Sequence, residues 1–253
     1  MKKISFIKKL FLFGMILFLI DTSACSEDTA RVSQESYSPE TENAVEATVP
    51  GNPEPPDPSY RRVHFEWEYD YSTWSYDLDI PIDAVEAYRS ACRQPESYYE
   101  LYSSYITEPT DDEYLHSLAQ VFINSTKENN LPKEDAVPMA VAFVQHLDYI
   151  DDDPSSDMDY PKYPLETLYD HGGDCEDTSI LLCSLIREMG YGCCLIGFED
   201  HMAVGILGDD SMEGFYFEKD DQKYYYIETT AEGWPIGEMP EEYQKEDARL
   251  WVF

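Results

Sequence analysis

Positive charge is scarce in this sequence. Its 17 lysines and arginines stand against 52 aspartates and glutamates in 253 residues, a formal net charge of −35. That balance argues against nucleic acid as a partner, because phosphate binding is carried by clustered cations. Long apolar runs are also missing. The longest, Leu10 to Ile20, has eleven residues, against roughly 20 for a membrane-spanning helix. No two cysteines are spaced as Cys-x-x-Cys, which disfavours a structural zinc site. The densest acidic stretch, Asp151, Asp152, Asp153, Asp157 and Asp159, lacks the spacing and the glycine of an EF-hand loop. A solvated loop is therefore expected there, with a cation site as the alternative. The apolar share of 43% is nevertheless enough for a core.

The first 25 residues have the order of an export leader. Lys2, Lys3, Lys8 and Lys9 precede the apolar run, and Thr22-Ser23-Ala24-Cys25 follows it. The last four resemble a prokaryotic lipobox, with Thr22 where leucine is usual, which makes Cys25 a lipidation candidate. Simple secretion and an uncleaved anchor are the alternatives. Residues 26–60 are rich in Ser, Thr, Glu and Pro, with Pro50, Pro53, Pro55, Pro56 and Pro58 clustered near the end. Such composition predicts an extended tether. Residues 61–253 are then the folded domain, with a hairpin and helices over 61–150 and a core over 151–253.

Within 61–150, Val63, Phe65, Trp67 and Tyr69 alternate with polar residues, as do Trp74, Tyr76, Leu78 and Ile80. This predicts a hairpin whose aromatic face packs in the core, with carbohydrate binding as the sharper alternative. Helices are expected over 83–93, 96–106, 110–127 and 136–149. The third should open on a Thr110-Asp111-Asp112-Glu113 capping box. Asn124-Ser125-Thr126 is a glycosylation sequon placed on that helix.

The stretch around which the rest is organised is His171-Gly172-Gly173-Asp174-Cys175-Glu176-Asp177. Ile180, Leu181, Leu182, Cys183, Leu185, Ile186 and Met189 then recur at helical spacing. Asp174 is read as the N-cap, which makes Cys175 the first residue of a buried helix. Unpaired N–H groups and the helix dipole favour a thiolate there. Glu176 and Asp177 oppose it, so an imidazole is needed as well. After this helix come four strand-like runs, 192–198, 201–207, 214–217 and 223–228, joined by links too short for helical crossovers. The sheet should be mostly antiparallel and the fold class α+β. His201 opens one of these runs and Glu228 closes another.

A helix N-terminal Cys followed by a strand His and a strand acid is a thiol-hydrolase order. The chain resembles the transglutaminase-like superfamily in its short prokaryotic form, over roughly Val63 to Pro240. The resemblance is carried by Tyr163-Pro164-Leu165-Glu166-Thr167-Leu168, Gly173-Asp174-Cys175-Glu176-Asp177, His201-Met202-Ala203-Val204, and Ile227-Glu228-Thr229-Thr230 with Gly233-Trp234-Pro235-Ile236-Gly237. It implies a papain-like fold in which the Cys helix packs on the sheet that carries His and acid. It also implies roles: Cys175 as nucleophile, His201 as proton acceptor and donor, and Glu228 as the acid that orients the imidazole, where many relatives have Asp. Gln145 is the candidate second oxyanion donor beside the Cys175 N–H. His171 is the rival base. His64, His116 and His146 are read as surface or packing residues.

If Cys25 is lipidated and Cys175 free, Cys92, Cys183, Cys193 and Cys194 remain for disulfides; a Cys183 link to Cys193 or Cys194 is one option, and the connectivity stays open. The expectation is an exported, cell-surface, lipid-anchored thiol enzyme that attacks amides through a thioester. Peptidase or amidase action is preferred over crosslinking, on a protein or peptide substrate. No cofactor is required, and calcium stays open without a supporting motif. The oligomeric state is not readable. The alternative is a non-catalytic surface interaction module that keeps the fold.

Overall fold

Alternating large apolar residues build the first layer. The computed structural model describes residues 47–48, 58–91, 97–152 and 160–253. Cys25, Cys92, the leader and most of the tether lie outside the described residues, as do Asp153, Asp157 and Asp159. A short strand β1 (Ala47–Thr48) runs parallel to one edge of a hairpin formed by β2 (Tyr60–Tyr69) and β3 (Ser72–Pro81). Asp70 and Tyr71 both take left-handed conformations at its two-residue turn (φ 49° and 58°), the geometry that matches strand twist. Val63, Phe65, Trp67, Trp74, Leu78 and Ile80 are buried. Trp67 meets Phe122 and Phe143 edge-on, with ring centroids 5.9 and 5.3 Å away. The aromatic face is therefore a core face and not a sugar platform.

Four helices follow: α1 (Ile82–Ser90), α2 (Tyr98–Ile106), α3 (Asp112–Glu128) and α4 (Ala136–Gln145). Two expectations need correction here. The capping box at Thr110 does not form. Thr110 bonds Glu108 instead, and Asp111 takes the N-cap position without a side-chain cap bond. Helix α4 stops four residues short of Tyr149, because Asp148–Tyr149 (β4) is drawn into a short parallel ladder. Its partner is β5 (Gly172–Gly173), which follows α5 (Pro164–Asp170). Only glycine fits at 172, since a Cβ there would strike the Asp148 carbonyl. Asp148 N–H donates to the His171 carbonyl (3.1 Å) and Ile150 N–H to the Gly173 carbonyl (3.0 Å), pinning the loop just ahead of the central helix.

That helix, α6 (Cys175–Glu188), packs against α2, α3, α4 and α5 and against the sheet. Its Ile180, Leu181, Leu182, Leu185 and Ile186 are fully buried, each worth about 1.5–3 kcal/mol relative to exposure. The sheet consists of β6 (Cys193–Gly197), β7 (Met202–Gly208), β8 (Tyr216–Lys219), β9 (Gln222–Ile227) and β10 (Arg249–Val252). Its order is β10-β6-β7-β9-β8, antiparallel throughout. Leu195, Val204, Ile206, Tyr225 and Ile227 face the helical side. Cys194, Ile196, Ala203, Tyr224 and Tyr226 form a smaller cluster against Met239 and the C-terminal segment. The architecture is α+β in the papain-like arrangement that the transglutaminase-like resemblance implies: a Cys helix packed on an antiparallel sheet. Strand β10 had no counterpart among the expected elements. Among the described residues, no helix is long and apolar enough to cross a membrane.

Asp111 carries a pH prediction. Its side chain is buried, and both carboxylate oxygens lack a hydrogen-bond partner among the described residues. Burial first, then Glu108 and Asp112, pushes its carboxyl up to about 8. A raised carboxyl pKa means the folded state holds a proton that the unfolded chain releases. Stability is then full below the unfolded pKa of about 4 and is lost as pH rises towards the folded value. Asp111→Asn should therefore flatten the fall in thermal stability between pH 4 and 8. An unchanged slope in denaturation scans across that range would contradict the assignment.

Candidate functional site

Asp174 starts the site by ending the loop. Its carboxylate accepts from the N–H groups of Glu176 (3.0 Å) and Asp177 (3.2 Å), and the Asp177 carboxylate reaches back to the Asp174 N–H (3.3 Å). Asp174 is thus the N-cap that the sequence predicts, and Asp177 completes a reciprocal capping box with it. Asp177 is buried and also accepts from the Lys162 N–H (2.7 Å), with Lys162 Nζ 3.0 Å away. A Cβ at Gly173 would collide with the Asp177 carboxyl, so the glycine admits this cap. Cys175 is thus fixed at the first turn of α6, half-buried at the edge of a cleft of about 930 Å³.

A seam of hydroxyls ties this turn to the strand ends. Thr178 Oγ1 lies 2.9 Å from Thr229 Oγ1, and Ser179 Oγ lies 3.2 Å from the same atom. Ser179 also donates to the Met202 carbonyl (3.2 Å). All three side chains are buried. Met202 opens β7 beside His201, and Thr229 follows Glu228 after β9, so the seam sets the helix against both functional strand ends. Sequence reasoning gave none of the three this role, although Thr229 stands in the Ile227-Glu228-Thr229-Thr230 motif. The local signal of Thr178 and Ser179 is polar side chains on the buried face of an apolar helix.

His201 lines the same cleft as Cys175. Its Nε2 bonds Glu228 Oε2 at 3.1 Å, which leaves Nδ1 for a second partner. Tyr243 stacks on the imidazole, with centroids 4.7 Å apart and planes 11° from parallel. Glu228 is buried and takes five donors. The His201 Nε2 and the Tyr226 hydroxyl (2.7 Å) reach Oε2, while Thr229 N–H, Thr230 N–H and Thr230 Oγ1 reach Oε1. Burial works to raise its pKa, but His201, the Thr230 N–H and the Tyr226 hydroxyl outweigh it and hold the carboxyl at about 2. Tyr226 shares the strand face of Glu228, as two-residue alternation predicts, and Tyr243 is a further site residue that the sequence did not single out.

At Cys175 the helix terminus alone does not secure a thiolate, in keeping with the opposition expected from the neighbouring acids. Burial, then the Asp174 charge, pushes its thiol up to about 12, against the opposing pull of the Met202 N–H and its own N–H. The resting group is a thiol, because desolvation and a neighbouring carboxylate outweigh the helix terminus.

Gln145 departs from its expected place. It is buried, and its Nε2 donates to the carbonyls of Glu228 (2.8 Å) and Trp234 (2.9 Å). Both amide hydrogens are thereby committed to backbone, and the residue lines a different cavity, of about 610 Å³, together with Trp234. It braces the Glu228 strand end and has no hydrogen left for an oxyanion. His171 stacks on Phe65 (5.2 Å) with Nδ1 3.4 Å from Asp148, away from the cleft. His64, His116 and His146 bond Asp77, Glu188 and the Ala142 carbonyl. Among the described residues, no group of three or more His, Cys, Asp or Glu could hold a metal ion. Of the acidic loop, Asp152 accepts from the Tyr160 N–H (2.7 Å).

Two measurements follow from this geometry. Thr229→Val keeps the shape and removes the hydroxyl that Thr178 and Ser179 share. It should lower unfolding free energy by about 0.5–1.5 kcal/mol in urea titrations, the net worth of the lost hydrogen bonding, because Thr178 keeps the Asp174 carbonyl and Ser179 the Met202 carbonyl. A loss within experimental error would mean the seam is energetically idle. Iodoacetamide should label Cys175 slowly near neutral pH, with a rate still rising above the ordinary thiol pKa of about 8.5. A rate that has already levelled off near pH 6 would instead reveal a preformed thiolate–imidazolium pair.

No protein-family model matches the chain, and no curated protein does. Among solved structures, calcium-bound LapG of Legionella pneumophila aligns with TM-score 0.36 at 17% identity, covering 56% of this chain and 87% of that one. Its EGTA-treated form gives TM-score 0.37 at 18% identity, over 56% and 85% of the two chains. A candidate cysteine protease from Cytophaga hutchinsonii gives TM-score 0.30 at 12% identity, over 67% of this chain and 62% of that one. These likenesses are too distant to carry an argument about activity.

Proposed function

We propose that the chain is a thiol acyl-transfer enzyme that attacks amide bonds, acting as a peptidase or amidase in preference to a crosslinker. The observation that supports this best is the convergence in one cleft of a helix N-terminal Cys175 and a His201 held by an ionised, buried Glu228. With Nε2 committed to Glu228, Nδ1 is the nitrogen that takes the Cys175 proton as sulfur attacks the carbonyl. It then returns the proton to the leaving amine, and water resolves the thioester. The resting thiol implies that this transfer accompanies substrate binding. Glu228 stays charged throughout and stabilises the imidazolium. The Cys175 N–H is the natural first oxyanion donor. Export, lipid anchoring through Cys25 and a tether over 26–60 complete the proposal, with 61–253 as the working domain.

The cleft also selects by charge. Glu199, Asp200, Glu246 and Asp247 line it, are exposed, and have no ion-pair partner among the described residues. Tyr98 and Tyr102 add aromatic faces, while Trp251 already carries the Arg249 guanidinium 5.8 Å from its ring centre. Carboxylates and aromatic rings together favour a cationic side chain. The substrate class is accordingly a peptide with Lys or Arg close to the scissile amide.

The raised Cys175 pKa favours a second reading, a binding module that holds basic segments without turnover. A peptide-cleavage screen separates the two. The enzyme reading expects basic peptides to be cut faster than acidic ones, a preference that weakens with salt, and a loss of at least about 10³-fold in Cys175→Ala. Equal basic-peptide affinity in wild type and Cys175→Ala, with no cleavage by either, would establish the module.

A further inference from the structure

We infer that Cys183 and Cys193 form an intramolecular disulfide when the chain folds in an oxidising compartment. The observation is geometric. The two sulfur atoms are 3.0 Å apart, from the middle of α6 and the first residue of β6, and the Cys193 thiol also points at the Cys183 carbonyl (3.4 Å). Both residues are fully buried. A disulfide needs about 2.05 Å between sulfurs, so closure asks for about 1 Å of movement, within reach of side-chain adjustment. The intervening segment closes through a turn at Gly190, whose φ of 85° lets the chain leave the helix and enter the sheet.

The other described cysteines are placed elsewhere. Cys194 points to the opposite face of the sheet, among Ile196, Ala203 and Tyr226. It lies against Gly205, where a Cβ would come within 2.7 Å of its sulfur. Cys175 sits two turns before Cys183, at the cleft. Of the two links that the sequence left open, the structure therefore favours Cys193 over Cys194.

The chemistry balances as two successive thiol–disulfide exchanges. One thiolate of the pair attacks the disulfide of an oxidant, either a dithiol–disulfide oxidoreductase or oxidised glutathione. A mixed disulfide forms and one oxidant thiolate leaves. The second cysteine, having lost its proton, attacks the mixed disulfide and releases the other oxidant thiolate. Two protons and two electrons leave the pair, and the oxidant's disulfide is reduced to two thiols. Burial, then Cys193, pushes the Cys183 thiol well above its ordinary pKa, so the folded protein offers neither access nor thiolate. The exchange belongs to the interval before α6 docks on β6. Once made, the bond is out of reach of soluble reductants, which marks it as a structural staple and not a switch. It would fasten the helix that carries Cys175 to the strand next to β7, whose leading end presents His201. The inference does not depend on the proposed catalysis.

The test uses the full chain secreted into an oxidising compartment. The protein is denatured in guanidinium with iodoacetamide and no reductant; one portion is digested unreduced to find linked peptides, and the other is reduced, labelled with N-ethylmaleimide and digested for mass spectrometry. Cys183 and Cys193 should carry only the second label, while Cys175 and Cys194 carry the first. The first label on Cys183 and Cys193, or a linked peptide joining either of them to Cys194, would overturn the inference. The paired variant C183A/C193A should melt roughly 5–10 °C below the oxidised wild type. An unchanged melting temperature in a folded variant would remove the stapling role. The labelling result stands on wild-type protein even if the variant does not fold.

Discussion

The meeting of three hydroxyls, Thr178, Ser179 and Thr229, is the constraint on which the rest of the site depends. These buried groups must find partners, because a stranded hydroxyl in a core costs more than the hydrogen bond would contribute. Thr178 also has the Asp174 carbonyl on its own helix (2.7 Å), but the other partners lie across the helix–sheet interface: Thr229 for both helix hydroxyls, and the carbonyl of Met202. Small side chains also let α6 approach the strand ends closely. Apolar residues further along the helix supply the bulk of the attachment, but grease tolerates sliding. The hydroxyl seam gives the contact one register, and that register decides where Cys175 lies relative to His201 and Glu228.

Electrostatics divide the site into a fixed half and a responsive half. Glu228 receives five donors and stays ionised far into acid, so the imidazole has a permanent orienting charge. Stacking by Tyr243 limits rotation of the ring. Cys175, by contrast, is kept as a thiol by burial and by Asp174, the same residue whose carboxylate caps its helix. The cap that positions the sulfur also discourages its ionisation. In the proposed mechanism a substrate carbonyl entering the cleft changes that balance, since the proton then has a transition state to serve. In the proposed reaction the acidic lining of the cleft would act on the same step by drawing cationic segments towards the sulfur.

Much of this was legible in the chain because it is local. Asp174, Cys175 and Asp177 form a cap within four residues, and the apolar spacing after them has the helical period. The hairpin announced itself by alternation from Val63 to Ile80, and the antiparallel sheet by short links. What stayed hidden depends on distant pairing. Strand β10 is four residues near the C-terminus, made a strand only by its partner β6. Tyr226 could be placed on the strand face of Glu228 by its two-residue spacing, but Tyr243 is one of 21 tyrosines, and nothing nearby in sequence marks it as a neighbour of His201. Gln145 lies on a helix as expected, but the carbonyls it serves belong to residues more than eighty positions away. Helix α4 ended early for a similar reason: the glycine pair that captures β4 comes more than twenty residues later.

Trapping the acyl-enzyme tests the central claim most directly. An activated ester of a basic amino acid would be mixed with the folded protein, quenched in acid within seconds, and the intact mass and the modified residue determined. The account predicts one acyl group per chain, on Cys175, released by hydroxylamine, and no adduct on the His201→Ala protein. An unmodified Cys175 in the folded wild type, or acylation that proceeds equally without His201, would contradict the claim that these two residues form a working pair.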